Sequence, residues 1–374
     1  MPSLKRTHPL VSGRTTSHRL VRAYQGERSH VVPVWFMRQA GRSLPEYREL
    51  RVGTRMLDAC LDPALASEIT LQPVRRHGVD AAIFFSDIVV PLLLAGVEVE
   101  IVPGKGPVFA KPIRTSADVD RLTEHDPAHF APDVFSAITQ AVGRCVSECP
   151  ETPLIGFAGA PFTLAAYLVE GGPSRDHLGA RTLMHADPHA WQRLMEWTAD
   201  ISGAFLRAQI EAGASAVQLF DSWAGSLSLA DYATHVAPAS ARALAHVREM
   251  TYEFIEPGSS VVEVRRVPLV HFGVGTGDLL RAMYDTGADV IGVDYRIPLD
   301  EASRRLGGNV PVQGNIDPAF LAAGWEALSA HVRDVLEKGR AAPSHVANLG
   351  HGVPPETDPD ILTRLVDFIH DWQP

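Results

Sequence analysis

Ala81-Ala82-Ile83-Phe84-Phe85, an unbroken apolar run closing on Ser86-Asp87, is the stretch whose pattern decides the fold. A strand with one wet face alternates apolar and polar residues, whereas a strand covered on both faces stays apolar throughout, the habit of parallel sheets. Outward from this run the same signature recurs at Val32 to Phe36 on one side. On the other it recurs at Leu154 to Ala158, Ala216 to Phe220, Val267 to Phe272, Val290 to Val293, Val310 to Gln313 and Val346 to Leu349. Between the runs lie amphipathic stretches with helical spacing, such as Asp187 to Ala212 and Gly324 to Arg340. Strands alternating with helices predict an α/β fold, and eight such units predict closure into a single (β/α)8 TIM barrel.

Two segments break the rhythm. Val97 to Val102 and Val108 to Ile113 flank Pro103-Gly104-Lys105-Gly106-Pro107, whose glycines supply turn geometry, so a β-hairpin is expected after the second strand. Tyr252 to Arg266 carries Glu-Pro-Gly-Ser-Ser in a charged context and reads as a surface insertion. Residues 1–24 hold Lys5, Arg6, Arg14, Arg19 and Arg22 without an acid. They read as a mobile basic segment rather than an organelle transit peptide, because the chemistry-bearing residues begin soon after. That leaves 25–374 as one catalytic domain.

The chain has 374 residues, 45% hydrophobic and 21% charged, enough to bury the core of one large barrel. A net charge of -10 argues against nucleic acid or a membrane surface as a general partner, so an anionic ligand must be drawn in by a local basic patch. No apolar run approaches the about 18 residues that span a bilayer, and no secretory signal pattern opens the chain. Three cysteines, Cys60, Cys145 and Cys149, are too few and odd for a disulfide scaffold and fit a reducing compartment. A cytoplasmic location is expected. No His-x-Cys or Cys-x-x-Cys completes a zinc site, so no metal is expected, and Cys145 and Cys149 read as helix packing.

Barrel enzymes hold their chemistry at the C-terminal ends of the strands. The first run is followed by Arg38-Gln39-Ala40-Gly41-Arg42, with further arginines at Arg48, Arg51 and Arg55. Arg38 and Arg42 can bring two guanidinium forks onto carboxylates from one side, a geometry lysine cannot supply. A solvated charged face is an equally good reading of Arg48 and Arg55, and a poorer one of Arg38, which directly follows an apolar strand. The second run delivers Asp87 among Ile88, Val89 and Val90, where a carboxylate needs a positive or hydrogen-donating partner, or else caps the segment that follows. The third leads through Phe157 to Tyr167 and Gly171-Gly172, the fourth ends in Phe220-Asp221-Ser222-Trp223, the sixth in Asp294, the seventh in Gly314-Asn315, and the eighth in Gly350-His351-Gly352.

These motifs carry a resemblance. Pro33 to Tyr47, Phe85 to Val90, Gly156 to Gly172, Phe220 to Gly225, Gly314 to Pro318 and Asn348 to Gly352, in this order and over nearly the whole chain, resemble the uroporphyrinogen decarboxylases, actinobacterial members in particular. The resemblance implies a (β/α)8 barrel, usually a homodimer with facing clefts. It implies decarboxylation of the four acetates of uroporphyrinogen III to methyls, giving coproporphyrinogen III in haem synthesis, without a cofactor. It assigns catalytic roles to Asp87, Arg38, Tyr167 and His351, and substrate contacts to Arg42, Arg51, Ser222, Gly41, Gln39, Ala40, Phe157 and Phe220. Ser43 and Phe162 stand where many relatives have Tyr and Trp, and Ala347 where an aromatic is usual, which bears on pocket shape.

The chemistry suits the residues. Loss of carbon dioxide from an acetate leaves a poor carbanion unless the pyrrole is first protonated on a ring carbon, making its nitrogen a cationic electron sink. A central carboxylate stabilises that cation, arginines hold the peripheral carboxylates, and the substrate serves as its own sink. Tyr167 and His351 have more tractable intrinsic pKa values for proton delivery than Arg38.

Three other readings fit the sequence less well. Gly273-x-Gly275-x-Gly277 follows an apolar run, but the third glycine of a dinucleotide fingerprint would fall at Asp278. A methyltransferase of the same superfamily needs zinc ligands that no motif here supplies. A porphyrin-binding scaffold with a dead site would not need Asp87, Tyr167 and His351 together.

Overall fold

The computed structural model describes residues 4–124, 133–256 and 258–373. Seven strands form one parallel sheet: β1 (Ala82–Ile83), β4 (Leu154–Gly159), β5 (Ala216–Asp221), β8 (Leu269–Gly273), β9 (Val290–Gly292), β10 (Val312–Gln313) and β11 (His345–Val346), hydrogen-bonded in that order. Every neighbouring pair is parallel. Helices such as Pro63–His77, Pro188–Ala212 and Trp325–Gly339 connect them. The strand residues of β4, β8 and β9 are buried without alternation, which is why they read as unbroken apolar runs.

The expected first strand, Val32 to Phe36, does not form a ladder. Val34 makes one parallel bridge to Ala347, and side chains replace the rest of a neighbour's backbone. Asp80 accepts the Val34 N–H at 2.8 Å, Gln39 accepts that of Phe36 at 2.9 Å and Asn348 accepts that of Met37 at 3.0 Å. Pro33 contributes no N–H. The run still lies between β11 and the segment entering β1, since Trp35 N–H donates to the Ala347 carbonyl and Asp80 N–H to that of Val34.

After β1, β2 (Val99–Val102) and β3 (Gly106–Phe109) pair antiparallel, and β6 (Thr251–Ile255) pairs antiparallel with β7 (Val262–Arg266). In the second pair Tyr252 and Phe254 face inward while Val262 and Val264 are exposed; Pro257 lies outside the described residues. Residues 1–3 of the basic N-terminal stretch also lie outside them, but the remainder is laid against the body of the protein. Leu10, Leu20, Val21 and Tyr24 are buried, His8 Nε2 lies 2.9 Å from the Ile210 carbonyl oxygen, and Arg19 pairs with Asp80. Cys145 is buried on the helix Ser136–Glu148 with its thiol pushed up to about 12 by burial, and Cys149 follows that helix as its cap residue. Among the described residues no helix is long and apolar enough to cross a membrane.

Candidate active site

A cleft of about 1380 Å³ opens where the strands end, larger than the roughly 300–1,000 Å³ of a site for a drug-sized ligand. Met37, Phe157, Phe220 and Phe272 give it an apolar wall. Phe157 meets Phe220 edge to face at 5.4 Å and Phe220 meets Phe272 at 5.9 Å, so successive strand-end rings brace one another. Phe272 was not singled out from the sequence, although it closes its apolar run as Phe220 does.

Asp87 lines this cleft, half-buried, in the turn after β1. Its Oδ1 accepts the Val89 N–H at 3.0 Å, so the carboxylate does cap the turn. Among the described residues nothing else bonds it. Burial pushes the Asp87 carboxyl above the usual carboxylate range, against the opposing pull of the Val89 N–H and the Arg38 charge. Beside it the buried hydroxyl of Ser86 has no partner among the described residues.

Arg38 adopts a left-handed backbone with φ of 62°, uncommon for a residue with a Cβ. Its chain passes over Gly352, where an added Cβ would come within 2.3 Å of Arg38 Cδ, so glycine at 352 makes room for the arginine. Arg38 and Arg42 are exposed, line the cleft together with Ala40 and Gly41, and have no carboxylate partner among the described residues. Arg51, also on the wall, lies 5.7 Å over the Tyr47 ring and donates to the Arg55 carbonyl. Lys105, at the turn between β2 and β3, adds a cation to the same wall.

The other arginines are engaged elsewhere. Arg48 donates to the carbonyls of Arg42 at 2.7 Å and Ser43 at 3.3 Å, bracing the loop, and Arg55 pairs with Asp58 at 2.7 Å. Gln39 is a correction to the sequence reading. Its side chain is withdrawn from the wall, fully buried, with Oε1 accepting from Phe36 and Nε2 donating to the Ala81 carbonyl at 2.9 Å. Both ends of the amide are spent on holding the loop.

Tyr167 lies on the helix Pro161–Glu170 and packs against Trp223 with ring centroids 3.8 Å apart and planes tilted by 31°. Burial, reinforced by the Asp87 charge, pushes its hydroxyl up to about 12, making it a weaker acid than its intrinsic value suggested. His351 also lines the cleft. Its imidazole is pushed below its ordinary value by desolvation and then by the Arg38 and Arg296 charges, with Asp294 opposing. Near neutral pH both groups are uncharged, which suits hydrogen bonding more than proton release. Ser222 follows β5 and reaches the cleft beside Phe220. Of the residues expected at the site, the structure gathers all but Gln39 onto one wall system.

An α/β fold whose strand ends surround a large cleft, apolar within and edged by guanidinium groups that have no carboxylate partner among the described residues, defines an enzyme for a bulky, carboxylate-rich ligand. Residues 15–372 match the family model for uroporphyrinogen decarboxylase (URO-D), and the chain belongs to that family of decarboxylases. It is 73% identical over 373 residues to the uroporphyrinogen decarboxylase of Leifsonia xyli, covering 99% of each chain. It is 63% identical to that of an Arthrobacter strain, covering 97% of this chain and 100% of the other. Among solved structures, a methyltransferase from Methanosarcina mazei matches with a TM-score of 0.72 at 18% identity, covering 95% of this chain and 98% of that one. That likeness concerns the fold alone.

Proposed function

We propose that this chain converts uroporphyrinogen III to coproporphyrinogen III by removing the four acetate carboxylates in the cleft around Asp87. The observation that carries this reading is the state of the Asp87 carboxylate. Among the described residues it is a half-buried group held by a single backbone N–H, at the wall of a cleft wide enough for a macrocycle and edged by arginines without carboxylate partners. The inward pyrrole N–H groups of the substrate supply the donors Asp87 lacks, and Arg38, Arg42 and Arg51 take peripheral carboxylates.

A proton reaching the pyrrole ring carbon makes the ring a cation. The acetate C–C bond then breaks, carbon dioxide leaves, and the bonding pair flows into the ring. A second proton completes the methyl group as the ring proton departs, so each cycle consumes one proton net. Asp87 stabilises the cation in a water-poor site. Tyr167, Ser222 and His351 hydrogen-bond the reacting acetate or its neighbours, and Phe157 and Phe220 hold the macrocycle face with the Ala40–Gly41 backbone.

We further read the curled sheet as a (β/α)8 barrel, with Val32 to Phe36 as its eighth stave and the β2–β3 pair as an inserted rim hairpin. Residues 25–374, with residues 4–24 packed against them, act as one domain, in the cytoplasm and as a homodimer with facing clefts. Because the protonated pyrrole is the electron sink, no metal is needed for turnover. Decarboxylation of uroporphyrinogen under anaerobic conditions should therefore proceed at an unchanged rate after exhaustive chelation. A strict requirement for added zinc would reject the mechanism and favour zinc-dependent methyl transfer.

A further inference from the structure

Outside the cleft wall, the helix Leu178–Ala186 carries His185 in its last turn, and the helix Leu229–His235 carries Asp231 and His235. Residues four apart share one side of a helix. Each of the three offers a ligand atom, and these atoms all lie within 4.8 Å of one another. His185 Nε2 stands 3.6 Å from Asp231 Oδ1, and the two imidazole rings meet edge to face at 5.7 Å.

We propose that His185, Asp231 and His235 bind a divalent transition-metal ion, zinc foremost, at a site separate from the decarboxylation cleft. Two imidazoles and a carboxylate are a zinc donor set, and calcium or magnesium would ask for oxygens alone. Ligands about 2.0–2.1 Å from a tetrahedral ion lie about 3.4 Å from one another. The His185–Asp231 separation is close to that value already, and side-chain rotation at exposed or half-buried positions closes the remainder. Water completes the fourth position. The two-ligand helix is pinned at both ends, with Ser228 Oγ accepting the Asp231 N–H at 3.0 Å and Trp191 Nε1 donating to the His235 carbonyl at 3.1 Å, so these ligands are presented on a fixed element.

The ion would join two helices that flank the cleft-side stack. His177 precedes the first helix, Trp223 lies shortly before the second, and the Trp223 ring sits 4.3 Å from His177 and 3.8 Å from Tyr167. Since none of the three ligands lines the cleft, the ion stabilises without taking part in turnover.

Titrating chelator-treated protein with zinc chloride in a calorimeter should show one equivalent bound, and saturating zinc should raise the melting temperature by about 2–4 °C. The double variant His185→Gln/His235→Gln should melt as the wild type does in chelator, lose the zinc-induced rise and bind zinc at least about tenfold more weakly. Cys149→Ser should bind like the wild type, which separates this site from thiol capture. No stoichiometric binding of zinc, nickel or cobalt, or binding that survives in the double variant, overturns the proposal.

Discussion

Asp87→Asn is expected to lower turnover by about a hundredfold or more, the scale of removing a preorganised electrostatic contact, while leaving thermal melting unchanged. The two halves of this expectation rest on different oxygens. Asp87 Oδ1 already accepts the Val89 N–H at 3.0 Å, and an amide oxygen does that equally well, since Asn caps about as well as Asp. The turn survives. What disappears is the negative charge facing the cationic pyrrole, and the new NH₂ confronts the macrocycle's own N–H donors. Asp87→Glu keeps the charge on a longer arm in a close-fitting centre and should fall between the two. Steady-state kinetics under anaerobic conditions, paired with melting curves, rank the three proteins. Near wild-type turnover in Asp87→Asn would reduce Asp87 to the cap it also is.

Arg38→Lys should lower kcat/KM by about tenfold to a hundredfold, because charge-assisted hydrogen bonds contribute about 1.5–3 kcal/mol each and an ammonium cannot reproduce a two-pronged contact. The substitution isolates the fork. Lysine keeps the positive charge, has a Cβ like arginine and so bears the same cost at a φ of 62°, and its stem passes over Gly352 in the same channel. Arg48→Lys is the control, since Arg48 contacts only the Arg42 and Ser43 carbonyls among the described residues and should change kcat/KM little. Equal effects at 38 and 48 would mean that the loop, rather than the Arg38 guanidinium, sets substrate affinity.

The sheet was legible because strands buried on both faces leave long apolar runs, as Leu154 to Gly159 does. Val32 to Phe36 shows the limit of that signal. Its apolarity reports burial, while its hydrogen bonds come from the distant side chains of Asp80 and Asn348 and the nearby one of Gln39, which periodicity cannot reveal. The basic N-terminal stretch misleads in the opposite direction: its charges suggest a free tail, yet the apolar residues between them are buried and Arg19 finds Asp80.

Strand-end position sufficed to place Asp87, Arg38, Ser222 and His351 on the cleft. It could not separate Gln39, which points behind the loop, from Arg38 and Ala40 on either side of it, because side-chain direction depends on the Arg38 backbone turn. In the sequence Lys105 reads only as part of a turn, and its place on the cleft wall follows from the β2–β3 pair lining the cleft. The opposing pKa movements of Tyr167 and His351 arise first from burial and then from the Asp87, Arg38 and Arg296 charges, all of them set only in three dimensions.

The most direct test incubates the purified protein with uroporphyrinogen III under anaerobic conditions and separates the products by their number of carboxyl groups. The expected result is stepwise loss of the acetate carboxyls as carbon dioxide, through partly decarboxylated intermediates to coproporphyrinogen III. Bound but unchanged uroporphyrinogen would contradict it, whatever family the chain belongs to.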